Sequence, residues 1–448
     1  MQTYLFYDLE TTGLNKSFDQ ILHFAAIRTD LNLNELNRYE LIIKLNTDVI
    51  PAPQAMITHH MSLSDIASGI SEWDAIQQIH QWMNQPGTIS LGYNTLGFDD
   101  EFLRFSFYRN LLPPYTHQYA NQCGRMDLYP MAILYFLFKN SVIRWPNQSL
   151  KLENINKENN FISGRSHHAM VDVEVTLALA KCFQRDKDMW DYVTAYFNKK
   201  EDQKRSQLST GLMILGRIGA EKFFQAPVLF LGNHKHYTNQ TVWLRLDNEL
   251  FNESTAVEKT FSMFKKLGEP GFLLPFNNRF LQHLSSERLE ITEANQQWLK
   301  THEDFFQALE NFHCDYKYPT YPDTDASARL YLNAFPTPME EQFCRQFHTA
   351  TPPEKSKLID NVQNETLRTL AIRILGRHFP EALSSQQKDS FEKYLSQIKS
   401  ESTTIIDFKG EKHSTPAAAL QQLSAIQNPT DEQKTILTQM EKFYNSLI

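Results

Sequence analysis

The stretch Phe6-Tyr7-Asp8-Leu9-Glu10-Thr11-Thr12-Gly13, close to the N-terminus, decides the fold. It continues a short aromatic and aliphatic run that starts at Tyr4 and has the composition of a buried strand. Because strand side chains alternate between two faces, Asp8 and Glu10 emerge on the same side. Two carboxylates there repel each other and are costly to desolvate, and a divalent cation offsets that cost. A strand that ends in a solvated acidic turn would have the same sequence, so later segments have to decide between the two interpretations.

Length and composition predict a soluble cytoplasmic protein. The chain has 448 residues, enough for about three domains, with an ordinary 41% hydrophobic and 21% charged residues. Its net charge of −8 argues against a protein that coats nucleic acid along its whole surface, but not against a local basic groove. The four cysteines lack metal-ligand or redox spacing, and we find no secretory signal and no apolar run long enough for a membrane span.

The order of the predicted elements indicates an α/β layer fold up to about residue 185. A meander of strands comes first, and helices then alternate with strands. Further strands are predicted at 21–27, 39–45 and 88–92, and helices at 72–83, 99–112 and 170–183.

The rest of the chain divides into two parts. Strands predicted at 227–231 and 241–246, with weaker candidates at 272–274 and 290–291, indicate a smaller β-rich domain. Beyond about residue 339, apolar residues recur at helical spacing, as in 357–379 and 431–447. We therefore expect domains at 1–187, 188–340 and 341–448.

A second acidic segment joins a strand that ends at Asn94 to a helix that starts with Asp99-Asp100-Glu101. Acids at this position are also good helix capping, because they favour the positive end of the helix dipole. Arg104, Tyr108 and Arg109 follow in the helix and are suited to binding phosphates or bases.

A third segment, Arg165-Ser166-His167-His168-Ala169-Met170-Val171-Asp172, leads into an Ala-rich helix. Asp172 would lie in its first turns, where it either faces the strand carboxylates or is an ordinary solvated acid. The i, i+4 spacing favours His168 as its companion, whereas His167 would lie on the preceding loop. The spacing by itself does not choose between the two histidines.

Four acids from three elements, Asp8, Glu10, Asp99 and Asp172, together with a histidine beside the last, resemble the DEDD-type 3′–5′ exonuclease superfamily. The resemblance is to its subclass with a catalytic histidine. That pattern is an Asp-x-Glu strand, a Phe-Asp helix start and then His-x-Ala-x-x-Asp, so His167 is the matching histidine.

Within the superfamily, the sequence is similar to bacterial exonuclease I. The similarity lies in segments 24–30, 92–94, 98–101 and 107–110 and in the three-part layout. It implies a ribonuclease H-like exonuclease domain, then a β-rich Src-homology-3-like domain and an α-helical C-terminal domain. Leu9 and Thr12-Gly13 follow the generic superfamily form, where the exonuclease I family tends to have an aromatic residue and Phe-Gly.

The resemblance implies a 3′–5′ exonuclease that hydrolyses single-stranded DNA to 5′-mononucleotides in DNA repair or recombination. Asp8, Glu10, Asp99 and Asp172 would cage two Mg²⁺ ions, for which Mn²⁺ would substitute, with Asp8 bridging them. His167 would be the general base.

The resemblance also implies substrate contacts and a partner. The residues that match the family's substrate contacts are Glu10, Arg104, Tyr115, Tyr119 and Lys151. The two tyrosines lie in a proline-bounded loop, where they would stack on bases or simply cover a helix end. Without the resemblance, Lys151 is an ordinary surface cation. The partner would be the acidic C-terminal tail of single-stranded DNA-binding protein, and we expect a monomer.

Two alternative functions remain open. A 3′–5′ exoribonuclease or a proofreading exonuclease would use the same carboxylates, although either activity needs only the first domain. A non-catalytic module that binds DNA ends would carry the acids as remnants, and it would need no metal to hold a strand.

Overall fold

The N-terminal part of the chain is built around a five-stranded mixed sheet with the order β3-β2-β1-β4-β5. The computed structural model describes residues 1–147, 149–164, 168–216 and 224–448. β1 is antiparallel to β2 and parallel to β4, and the β1–β4 pairing runs only from Thr3 to Phe6. The strands are β1 (Thr3–Thr11), β2 (Ile21–Thr29), β3 (Glu35–Ile42), β4 (Thr88–Gly92) and β5 (Gly124–Asp127).

Helices cover both faces of this sheet, which is why every residue of β2 is buried. Tyr4 and Phe6 of β1 belong to one core cluster, and Leu5, Tyr7 and Leu9 belong to another. Asp8 and Glu10 therefore continue the face of Phe6, against which the helix of Asp172 packs. The helices of this part are α1 (Pro53–His59), α2 (Leu63–Ala67), α3 (Glu72–Met83), α4 (Asp99–Arg109), α5 (Leu128–Phe138), α6 (Leu152–Asn159), α7 (Ala169–Gln184), α8 (Lys187–Thr194) and α9 (Lys199–Arg205).

A second, antiparallel sheet follows, with the order β10-β6-β7-β8-β9. Its strands are β6 (Thr210–Ile214), β7 (Gln225–Asn233), β8 (Gln240–Arg245), β9 (Ser262–Lys266) and β10 (Phe272–Pro275). Three helices accompany it: α10 (Asn278–Leu281), α11 (Ser286–Thr301) and α12 (Glu303–Cys314). The weak strand candidate at 290–291 is wrong, because Ser285 caps a continuous helix through that segment.

The C-terminal part is helical, as predicted. Its helices are α13 (Pro338–Thr349), α14 (Pro352–Asn361), α15 (Glu365–His378), α16 (Ser385–Lys399), α17 (Pro416–Ser424) and α18 (Asp431–Leu447). The segment predicted at 357–379 divides into two helices, because the Asn364 side chain accepts hydrogen bonds from the backbone of Thr366 and Leu367 and starts a new one.

Both later parts pack against the first. One core cluster combines Leu22 and Trp73 with residues of α13 to α18, and a buried ion pair joins Asp48 to Arg377. On the other side, Ile214 and Phe272 of the second sheet share a core cluster with α5 and α7.

The predicted fold class, an α/β domain followed by a β-rich and then a helical domain, is confirmed. The domain boundaries at 187 and 340 stay a prediction. No helix within the described ranges is both long and apolar enough to cross a membrane.

Candidate active site

Three carboxylates from two elements converge on the α7 side of the first sheet. Asp8 and Glu10 stand near the end of β1, and Asp172 lies in the first turn of α7, which packs on β1 and β2. One ligand atom from each of the three lies within 4.8 Å of the others. The structure thus brings Asp172 to the two strand carboxylates.

Asp99 approaches the same strand from the other direction. It is the first residue of α4 and only 6% exposed, and its carboxylate accepts a hydrogen bond from the backbone N–H of Leu9. That N–H is available because the pairing of β4 with β1 ends at Phe6. Asp99 is not within the 4.8 Å group of the other three, but its charge acts on both Asp8 and Glu10.

Burial and the charges of neighbouring acids raise the pKa values of Asp8, Glu10 and Asp99. The pKa of Asp8 lies well above its usual value, because the group is buried and faces Asp99, Glu10 and Asp172. Burial, followed by the charges of Asp172 and Asp99, raises the pKa of Glu10 to about 9. Burial also raises the pKa of Asp99 to about 8. Oxygen donors this close together fit a hard divalent cation, which would favour the ionised forms of Asp8, Glu10 and Asp99.

The two candidate histidines differ in what the structure describes. His167 lies outside the described residues. His168 is the N-cap residue of α7, is exposed, and its backbone carbonyl accepts the N–H of Asp172 at 3.1 Å. The choice between the two as general base therefore stays a prediction.

A groove of about 980 Å³ opens over the carboxylates. Asp8 and Asp172 line it together with Lys151, and Phe224 and Gly271 line it from the second sheet's part of the chain. The groove is thus shared between the first and second parts of the protein, and Asp8 and Asp172 are among the residues that line it.

The predicted substrate contacts fall into two regions. Lys151 lies in the groove with 73% of its side chain exposed and Glu153 at 3.5 Å. Arg104 is mostly buried, with its Nε 3.1 Å from Asp100 and its guanidinium over the ring of Tyr331. Tyr115 contacts the Phe335 ring, whereas Tyr119 is 67% exposed.

Two residues suggested for phosphates or bases have structural roles instead. Arg109 is buried and donates to the carbonyl oxygens of Ser17 and Asp19 at 2.7 and 2.8 Å. The Tyr108 hydroxyl donates to the carbonyl of Ala326 at 2.9 Å and thereby joins α4 to the C-terminal part. Their suggested ligand roles are wrong, because these polar groups are already used inside the fold.

Sequence reasoning missed Asp127, at the end of β5. Its carboxylate accepts backbone N–H groups of Asn94, Leu96 and Tyr129 at 2.8 to 3.1 Å. It therefore holds the turn at Asn94, where φ is 64°, beside the groove. Burial raises its pKa to about 6. The available signal was an acid directly before the apolar segment 128–138, which is typical of an N-cap residue.

Comparisons with known proteins agree with this architecture. A family profile described as Exonuclease matches residues 5–180, and one described as Exonuclease I C-terminal domain matches residues 324–447. The exodeoxyribonuclease I of Buchnera aphidicola subsp. Acyrthosiphon pisum (strain APS) is 32% identical over 304 residues, 65% of this chain and 70% of that protein. The enzyme of Escherichia coli (strain K12) is 29% identical over 283 residues, 60% of each chain.

The fold extends beyond these aligned segments. A solved zinc-bound complex of Escherichia coli exonuclease I with single-stranded DNA superposes with a TM-score of 0.85 at 22% identity. That superposition covers 100% of this chain and 99% of the other. All three parts of the present chain therefore have counterparts in that fold.

Proposed function

The chain belongs to the exodeoxyribonuclease I family, and from that premise we propose that it hydrolyses single-stranded DNA from the 3′ end to 5′-mononucleotides. The observation that carries the proposal is the convergence of Asp8, Glu10 and Asp172 within 4.8 Å, beside a groove that Asp8 and Asp172 line. A solved relative that holds single-stranded DNA on the same fold supports the substrate class. A role in DNA repair or recombination goes with this activity.

The carboxylates fit a metal-dependent mechanism. When bound, two Mg²⁺ ions, or Mn²⁺ in their place, would acidify water and stabilise the attacking and leaving oxygens. Asp8, which has ligand atoms of Glu10 and Asp172 within 4.8 Å, would be one of the metal ligands. Glu10, Asp99 and Asp172 would complete the ligand set, and Glu10 would also face the terminal nucleotide.

His167 would take the proton from the attacking water, because a neutral imidazole suits that role near neutral pH. We expect His167→Ala to remove most turnover with little effect on Mg²⁺ affinity, and His168→Ala to reduce turnover much less. Turnover of both variants on a labelled oligonucleotide, with Mg²⁺ affinity measured separately, decides the matter. Equal losses in the two variants would contradict the assignment of His167.

The groove and the proline-bounded loop that carries Tyr115 and Tyr119 would hold the DNA strand. Lys151 offers a cation in the groove that Asp8 and Asp172 line. Arg104 of α4 lies close enough to Tyr115, in the loop after that helix, to interact with it electrostatically. Tyr119 is the most exposed ring of the set, which favours stacking on a base.

Removal of the exposed ring tests this part of the proposal. We expect Tyr119→Ala to weaken binding of a single strand by about 1–3 kcal/mol, or about 5- to 150-fold. Phe312→Ala removes another exposed ring, in α12, and is the control. Fluorescence anisotropy of a labelled oligonucleotide in the presence of chelator measures both, and equal effects of the two variants would remove Tyr119 from the substrate path.

The alternatives predict different outcomes on other substrates. A side-by-side digestion of DNA and RNA oligonucleotides separates the proposed enzyme from an exoribonuclease, and duplex primers with mismatched ends separate it from a proofreading exonuclease. A titration with Mg²⁺ separates all of these from a non-catalytic end-binding module, which would bind strands without metal and cleave none.

We further infer that the protein is a monomer and binds the acidic C-terminal tail of single-stranded DNA-binding protein. The family resemblance supports the tail as a partner, and no residues are assigned to it. A peptide carrying that tail should bind the protein at low salt and be released as salt is raised, because charge attraction would dominate. Absence of binding at low salt would contradict this part of the proposal.

A further inference from the structure

Two imidazoles and a carboxylate form a separate cluster on the same sheet face as the catalytic acids. His23 in β2 is buried, and its Nε2 lies 3.0 Å from Oε1 of Glu40 in β3. The ring of His168, at the start of α7, meets the His23 ring edge-on with centroids 5.1 Å apart. One ligand atom from each of the three residues lies within 4.8 Å of the others.

The strand register explains why this cluster lies beside the carboxylates without being part of them. His23 stands opposite Glu10 in the β1–β2 pairing, and Glu40 stands opposite Ala25, which itself stands opposite Asp8. Residues opposite each other in an antiparallel pair point to the same face. The catalytic acids and the imidazole cluster are therefore neighbours on one face, one strand apart.

The chemistry of the two clusters differs. Asp8, Glu10, Asp99 and Asp172 offer only oxygen atoms, which suits Mg²⁺. The second cluster offers two imidazole nitrogens and one carboxylate, the ligand types that Zn²⁺ and related borderline cations prefer. It is also open to an ion, because Glu40 and His168 are exposed although His23 is not.

We propose that His23, Glu40 and His168 form a second metal site, which takes Zn²⁺ with water as the remaining ligand. The site would tie β2 and β3 to the first residue before α7. Because α7 carries Asp172 one turn later, the ion would fix the helix that supplies this carboxylate. Zn²⁺ binding at this site does not depend on the proposed nuclease activity.

Metal binding to the full-length chain tests the proposal. The protein is stripped with chelator and kept in excess Mg²⁺, so that the oxygen site is filled, and Co²⁺ is added as a spectroscopic substitute for Zn²⁺. We expect one equivalent of Co²⁺ to produce the visible absorption of a nitrogen-containing site and one equivalent of Zn²⁺ to displace it. His23→Gln, Glu40→Gln and His168→Gln should each weaken Co²⁺ binding at least about tenfold.

Two control variants make the result specific. His302 faces Glu253 at 3.3 Å in a similar pair but belongs to no three-ligand cluster among the described residues, so His302→Gln should leave Co²⁺ binding unchanged. Asp8→Asn disables the oxygen site and should also keep the Co²⁺ spectrum. Loss of the spectrum in Asp8→Asn with its retention in His168→Gln would place the ion at the carboxylates and overturn the proposal.

Absence of Co²⁺ absorption in the unmodified protein would overturn it as well, and would leave His23 and Glu40 as a simple hydrogen-bonded pair. His23 is buried, so His23→Gln could fail to fold. In that case the Co²⁺ affinity of His168→Gln tests the proposal, since the His168 side chain is exposed. Thermal melts of each variant show which case applies.

Discussion

At the scale of single residues, the four acids are held in different ways. Asp8 and Glu10 are fixed by a strand that is buried on both sides, and Asp99 is tied to that strand by the N–H of Leu9. Asp172 depends instead on how α7 packs across β1 and β2. Burial and neighbouring acids raise the pKa values of Asp8, Glu10 and Asp99, so a bound cation would favour the ionised form of these three groups.

Removal of one carboxylate tests this dependence. We expect Asp172→Asn to lower turnover at least about 100-fold, because it takes one charge from the metal ligands while keeping the side chain's shape. Asp188→Asn changes an exposed acid in the first turn of α8 and should leave turnover unchanged. Steady-state rates on a single-stranded oligonucleotide measure both, and full activity of Asp172→Asn would contradict the proposed ligand set.

Binding of Mg²⁺ should also stabilise the fold. An ion that relieves repulsion among buried carboxylates raises stability by RT ln(1 + [L]/Kd), about 2.7 kcal/mol at 100 times Kd. We expect Mg²⁺ to raise the melting temperature of the unmodified protein and chelator to reverse the rise. In Asp8→Asn the Mg²⁺-dependent rise should be mostly lost, and an equal rise in that variant would place the ion elsewhere.

Some residues of the site could be predicted and others could not, for a physical reason. The Asp8–Glu10 pair follows from strand alternation, which is a local property. The structural role of Arg109 could not be predicted from the sequence. Its guanidinium donates hydrogen bonds to the carbonyl oxygens of Ser17 and Asp19, which are far away in the sequence. The cluster of His23, Glu40 and His168 could not be predicted from the sequence for the same reason, since only the sheet register and the start of α7 bring these residues together.

At the scale of elements, the end of β4 controls how closely the second acidic segment approaches β1. A Cβ atom on Gly92 would lie 2.5 Å from the carbonyl oxygen of Tyr7, directly before Asp8. No larger residue fits without a shift of one strand against the other. The loop from Asn94 to Asp99 therefore starts from a backbone contact that only glycine permits.

A substitution at Gly92 should thus disturb both stability and the site. We expect Gly92→Ala to lower the free energy of unfolding by about 1–3 kcal/mol, because the clash is with backbone that cannot rotate away. A Cβ atom on Gly97, in the same loop, would meet nothing within 4 Å, so Gly97→Ala is the control. Urea unfolding followed by circular dichroism compares them, and equal midpoints would show that the strands move apart freely.

Whether a segment forms a helix or a strand could be predicted wherever its pattern of apolar and capping residues was clear. The helices at 72–83 and 431–447 and the strand at 88–92 lie where periodicity and capping predicted them. β5 was not predicted, since Gly124-Arg125-Met126-Asp127 becomes a strand only by pairing with β4. α11 was partly mistaken for a strand because two adjacent residues show no period.

At the scale of the whole molecule, the C-terminal part is fastened to the first by buried polar contacts as well as by a shared core. Arg377 of α15 pairs with Asp48, and both side chains are almost fully buried. The Tyr444 hydroxyl of α18 donates to the carbonyl of Pro51 at 2.6 Å. We therefore expect the helical part to stay docked on the first part.

Disruption of the buried pair should loosen this docking. We expect Arg377→Ala to destabilise the protein by about 3–5 kcal/mol, because it leaves the Asp48 carboxylate buried without its partner. Lys388→Ala breaks an exposed pair with Glu392 in α16 and should change stability little. The urea midpoints of the two variants measure the difference, and similar midpoints would mean that Asp48 finds other partners.

The Asp48–Arg377 pair makes the free energy of unfolding depend on pH in the acid range. Burial alone would raise the pKa of Asp48, but Arg377 lowers it to about 2, against an ordinary value of 3.8. Between these values the unfolded chain binds more protons, so stability falls by about 2 kcal/mol as pH drops from about 4 towards 2. Urea unfolding at a series of pH values should show this loss of stability in the unmodified protein and a smaller loss in Asp48→Asn. If stability fell equally steeply with pH in both proteins, the assignment to Asp48 would be contradicted.

We propose that converging acids make this chain a metal-dependent exonuclease that starts at the 3′ end of single-stranded DNA. The most direct measurement is digestion of one oligonucleotide labelled at either end, with Mg²⁺ and with chelator. We predict that with Mg²⁺ a 3′ label is released at once as a mononucleotide, that a 5′ label remains on steadily shortening strands, and that chelator stops both. Early release of the 5′ label, or digestion that persists in chelator, would contradict the account.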